Sequence, residues 1–128
     1  MKRHEILKST LLVLSIIVAV TTLFAAPAAA QTLAVDSPNG GEAWKAGSSQ
    51  IIRWKTASKV GNVRITYSTD EGASWRTVAL SVRNTGEYSW IVPSTPSKRC
   101  LVRIREASDG DPSDVSDEVF TINEGQIE

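Results

Sequence analysis

Three kinds of side chain in this sequence could do chemistry. The segment Asp109–Asp117 reads D-G-D-P-S-D-V-S-D and crowds Asp109, Asp111, Asp114 and Asp117 together. Hard carboxylate oxygens at that density suit Ca²⁺, with Asp109, Asp111 and Asp114 as a weak ligand set. The spacing is not that of an EF-hand, whose glycine and terminal glutamate fall elsewhere, and a solvated acidic turn with Asp117 capping backbone groups is the competing reading. Arg64, Arg103 and Arg105 could line up as a basic stripe for an anionic polymer such as an acidic polysaccharide. The alternative is an ordinary cationic solvent face, which also discourages edge-to-edge pairing. Trp44, in a glycine-rich connection, could offer an indole face to a sugar ring or pack over the end of the fold. The acidic neighbours of the arginines favour Trp44 as the sugar contact. Trp44→Ala is then expected to abolish glycan binding with the fold intact, and Arg103→Ala to change it little.

What is missing narrows the field further. The one histidine, His4, lies in a leader expected to be removed. The exported chain then has no Ser-His-Asp triad, no Cys-His pair and no ordinary zinc site. Carboxylate pairs could hydrolyse glycosides without histidine, but no two acids stand out as such a pair. The chain is therefore read as a non-enzyme without cofactor, calcium excepted. Cys100 has no second cysteine to bridge. It shares strand parity with Val102 and Ile104, so a buried, inert thiol is expected.

Residues 1–30 have the layout of a secretory signal peptide. Lys2, Arg3 and Lys8 form a basic start, Leu11 to Ala25 is almost wholly apolar, and Ala28-Ala29-Ala30 offers a small-residue cleavage site. The apolar run is short of the roughly 20 residues that span a bilayer. Cleavage before Gln31 removes three basic residues and Glu5, turning 14 basic against 14 acidic into 11 against 13. Such a slightly acidic chain argues against general nucleic-acid binding. The destination is extracellular or the cell surface, with no membrane contact after cleavage; the oligomeric state stays open.

The remaining chain is patterned for strands. Ile52 and Trp54 alternate with Arg53 and Lys55, Tyr88, Trp90 and Val92 with Ser89 and Ile91, and Cys100, Val102 and Ile104 with Leu101, Arg103 and Arg105. Turn clusters recur at Ser37–Gly41, Asp70–Gly72 and Arg83–Gly86. No stretch shows a helical period. About seven short strands at this spacing predict an all-β immunoglobulin- or fibronectin III-like sandwich over 31–123, with Trp54, Tyr67, Trp90, Val102, Ile104 and Phe120 in its core and a frayed tail at 124–128.

The hairpin at Tyr67–Trp75 resembles the Asp-box, Ser-x-Asp-x-Gly-x-x-Trp, with Ser68, Asp70, Gly72 and Trp75 in the fixed places. That resemblance implies a structural turn rather than a catalytic one. Together with V-D-S-P-N-G-G-E-A-W at Val35–Trp44, T-G-E-Y-S-W-I-V-P at Thr85–Pro93 and S-D-E-V-F-T-I at Ser116–Ile122, it resembles one wider family. This is the immunoglobulin-like domain of Ser-Thr-rich, GPI-anchored fungal cell-wall proteins and its bacterial and archaeal surface-protein relatives. The resemblance implies a non-catalytic adhesion module for cell-wall polysaccharide or a surface protein, or else a spacer from the N-terminus of a larger exported protein. A small glycan-active enzyme is the remote third reading.

Overall fold

A computed structural model describes residues 33–57 and 59–125. The signal-peptide reading of 1–30 and the tail residues 126–128 lie outside them. Nine strands occur among the described residues: β1 (Leu33–Ser37), β2 (Ala43–Lys45), β3 (Ser49–Thr56), β4 (Val63–Ser68), β5 (Arg76–Val82), β6 (Glu87–Ile91), β7 (Ser97–Glu106), β8 (Ser113–Val115) and β9 (Phe120–Asn123). They form two layers. One sheet runs β1-β3-β6; the other runs β2-β9-β7-β4-β5, with β8 also pairing with β7.

The period of two decides what the layers enclose. From one sheet come Leu33, Val35, Ile52, Trp54 and Trp90; from the other come Val63, Ile65, Tyr67, Cys100, Val102, Ile104, Phe120 and Ile122, all buried. The six expected core residues are among them. Large residues fill the layer by ring packing, with Tyr67 and Trp90 edge-on at 5.2 Å between centroids. Burying the Trp54 indole would strand its N–H, but Nε1 donates to Asn84 Oδ1 at 2.8 Å. Cys100 is fully buried, and desolvation pushes its thiol pKa up, as expected of an inert sulfur.

Two of the conspicuous sequence segments turn out to clasp each other. Glu42 folds back so that its carboxylate accepts the Asn39 and Gly40 N–H groups, which closes the P-N-G-G-E turn. Asn39 then exchanges two bonds with Asp117: Nδ2 donates to Oδ2 at 3.0 Å, and the Asp117 N–H donates to Oδ1 at 2.7 Å. Ser116 Oγ donates to the Pro38 carbonyl at 2.7 Å. The Glu118 side chain comes so near that a Cβ on Gly40, with its φ of +146°, would sit 3.0 Å away. Only glycine fits there.

The strand count exceeds the expected seven or so chiefly through β8, a strand of only three residues. β8 lies inside the segment read as an acidic loop. Its backbone pairs with Arg103–Arg105, while Asp114 Oδ2 accepts the Val35 N–H of the opposite sheet at 2.8 Å. Such a short strand exists through its partners, and no periodicity could announce it. At the start of the tail, a Cβ on Gly125 would sit 3.0 Å from the Ala46 carbonyl.

Candidate functional site

The outer face of β4 and β7 gathers the three arginines. Val63, Ile65 and Tyr67 point inward, which turns Arg64, Thr66 and Ser68 outward; the pairing sets Arg64 opposite Arg105 and Thr66 opposite Arg103. Like charges directly across a ladder cost roughly 0.2–1 kcal/mol. No carboxylate pairs with either group at contact distance, the ion pairs among the described residues being Arg53–Glu87, Lys55–Asp36 and Arg99–Glu71, although Glu106 and Asp109 line the same hollow as Arg64 and Arg105.

Each arginine is held differently. Arg103 Nε donates to Thr66 Oγ1 at 3.2 Å, and its guanidinium carbon lies 4.2 Å from the Trp75 ring centroid. This is cation–π geometry on a half-buried indole. Burial, and then the charge of Arg105, pulls the Arg103 pKa down. Arg64 makes a single long bond, Nε to the Leu80 carbonyl at 3.5 Å. Arg105 makes no hydrogen bond or ion pair among the described residues; its side chain extends past Gly110. Two guanidinium groups are thus left with most of their donors open to solvent.

The hairpin between β4 and β5 supplies the platform. Ser68 Oγ donates to Asp70 Oδ1 at 2.7 Å and accepts the Gly72 N–H at 2.8 Å. Asp70 also accepts the Ser74 N–H at 2.9 Å and the Ser74 hydroxyl at 2.6 Å. These bonds, Ser74 foremost, hold the Asp70 carboxyl far below the usual carboxylate range, so its charge is committed to the turn. Gly72 has a φ of +95°, and Glu71 is drawn into the left-handed region too, at +57°. The loop folds over the outer face of β4, burying Ser68 to 1% exposure and laying Trp75 beside Gly72. The same turn therefore fixes the indole on which Arg103 rests.

Two open hollows flank Arg64. One, of about 380 Å³, is chiefly apolar and includes Leu80, Ala107, Asn62 and Ser81. The other, of about 210 Å³, is polar and includes Arg105, Asp109 and Gly110. Arg64, Glu106, Ala107 and Ser108 belong to both. The Glu106 carboxylate accepts the Ser108 hydroxyl and the Gly61 N–H rather than a guanidinium.

Other sequence candidates are placed elsewhere. Trp44 is half-buried, edge-on to Trp90 at 6.3 Å and tilted against Phe120 at 5.5 Å. Its ring packs against the core, one of the two placements that the sequence left open. The calcium candidates are not gathered: Asp114 is spent on β1, Asp109 accepts the Asp111 N–H at 3.1 Å, and no three acids, histidines or cysteines among the described residues group around a metal-sized space. Sequence reasoning missed Thr66, Leu80 and Trp75 as neighbours of the arginines. Register alone brings them there.

No protein-family model matches this chain, and a comparison with curated proteins gives no match. Among solved structures it is similar to one described as "Structures of Clostridium thermocellum CbhA fibronectin(III)-like modules". Identity is 16% and the TM-score 0.51, over 73% of this chain and 99% of the other. That likeness defines the fold class, a fibronectin III-like sandwich. Among the described residues no helix is long and apolar enough to cross a membrane.

Proposed function

We propose that this chain is an exported, non-catalytic cell-surface module that holds cell-wall polysaccharide or a surface protein on the outer face of β4 and β7. One observation carries the reading: Arg64, Arg103 and Arg105 share that face without a carboxylate partner, and one of them is pre-positioned on Trp75. A fold gains nothing from facing Arg64 with Arg105, whereas a partner bearing acceptors does. The signal-like residues 1–30, the Asp-box pattern and the resemblance to cell-wall immunoglobulin-like domains support the same destination. The fold supports a non-catalytic role by analogy with fibronectin III-like modules.

The test is retention of the exported protein on cell-wall fractions and purified wall polysaccharides, with and without Ca²⁺. Retention is expected, independent of Ca²⁺, and lost when all three arginines become Gln. Binding that survives the triple change would place the contact elsewhere. No retention on any fraction would favour the spacer reading, which the likeness to a module of another protein also supports.

A further inference from the structure

We infer that the ligand of this face is an acidic saccharide, a uronate-bearing chain seated across the two hollows that Arg64 divides. The inference rests on the surface-module reading above and names the chemistry that its contact face selects. Three features must be matched at once. Arg64 and Arg105 stand opposite each other on β4 and β7 with their donors open, which suits a carboxylate accepting from both. Leu80 is 63% exposed at the floor of the apolar hollow, and Ala107 lines it too, a surface for the C–H face of a sugar ring. Glu106 and Asp109 border the polar hollow as acceptors, which suits the hydroxyl donors of a sugar.

Other polymers fail one of the three. A polyphosphate meets the arginines but brings neither hydroxyl donors to Glu106 and Asp109 nor a C–H face to Leu80. A neutral glycan uses the acceptors and the apolar floor but leaves two adjacent guanidinium groups uncompensated. A uronate satisfies the set. The indole of Trp75 is covered by Arg103, so the saccharide gains its apolar contact from Leu80 rather than from a stacked aromatic.

The experiment measures binding of the exported protein to oligogalacturonate, to the same oligomer fully methyl-esterified, and to polyphosphate as competitor. Oligogalacturonate should bind, weaken with salt, and lose about tenfold in affinity with Arg64→Gln or Arg105→Gln. Leu80→Ser should cost a few-fold, and methyl esterification should cost at least as much as removing one arginine. Polyphosphate should not compete. All these changes are on the surface, and a melting temperature that does not fall in any variant confirms that the fold is not what is being read. Equal binding of the methyl ester overturns the carboxylate assignment. Competition by polyphosphate, with Leu80→Ser silent, reduces the face to a plain cation patch. Failure of oligogalacturonate to bind while wall fractions still retain the protein through the arginines overturns this inference alone. Loss of retention on every fraction removes the surface-module reading as well.

Discussion

On the outer face of β1, β3 and β6, Arg53 lies across the ladder from Glu87 at 2.7 Å, and Lys55 reaches Asp36 at 2.9 Å. On the outer face of β4 and β7, Arg64 faces Arg105, and Arg103 rests on an indole. Both faces are built from the same alternation of inward apolar and outward polar residues. They differ in whether charge is matched within the chain. Exposed pairs such as Arg53–Glu87 contribute at most about 1 kcal/mol, so their main effect is to leave that face electrically quiet. The opposite face leaves Arg64 and Arg105 without an ion pair, the arrangement on which the proposed ligand contact rests.

The comparison fails if the rival aromatic contact is the true one. Trp44→Ala should cost about 2–3 kcal/mol, less than a fully buried indole, because the ring packs on Trp90 and Phe120. Denaturant unfolding measures this, and loss of glycan binding without loss of stability would return the site to Trp44. A second variant concerns the turn beneath the arginine face. The Asp70 carboxyl titrates below its usual value of 3.8, so its stabilisation is full above that pH and drains away as pH falls beneath it. Asp70→Asn should flatten that acid limb and raise hydrogen exchange around β4 and β5, leaving β3 and β6 unaffected. Arg105→Gln, by relieving the facing charges, should raise stability by a few tenths of a kcal/mol at low salt. The smallest effect belongs to Glu87→Gln, within about 0.5 kcal/mol and with no change in binding.

Alternation made most of the sandwich legible. Ile52, Trp54, Trp90, Val102, Ile104 and Phe120 follow the period of two, and nothing in their surroundings overrides it. β8 was not legible because Ser113–Val115 form a strand only when β7 and β1 are already beside them. The site divides the same way. That Arg64, Arg103 and Arg105 share a face follows from parity. That they form no ion pair, that Thr66 and Trp75 hold Arg103, and that Leu80 adjoins Arg64 depend on register, with bulges between Val63 and Thr66 shifting β5 against β4. For Trp44 the sequence left a sugar-facing and a packed indole both open, and β2, by pairing with β9, carries the ring onto the core.

That β2–β9 pairing is parallel, with Ala43, Trp44 and Lys45 beside Thr121, Ile122 and Asn123. Further bonds extend it, from the Thr121 N–H to the Glu42 carbonyl at 2.8 Å and from the Ala46 N–H to the Asn123 carbonyl at 2.9 Å. Tension entering β2 from its N-terminal side and leaving β9 from its C-terminal side runs along both strands in opposite senses. Their cross-bonds are then loaded in shear, all together, instead of being unzipped one after another. Traction that reached both strands would therefore have to break those bonds together.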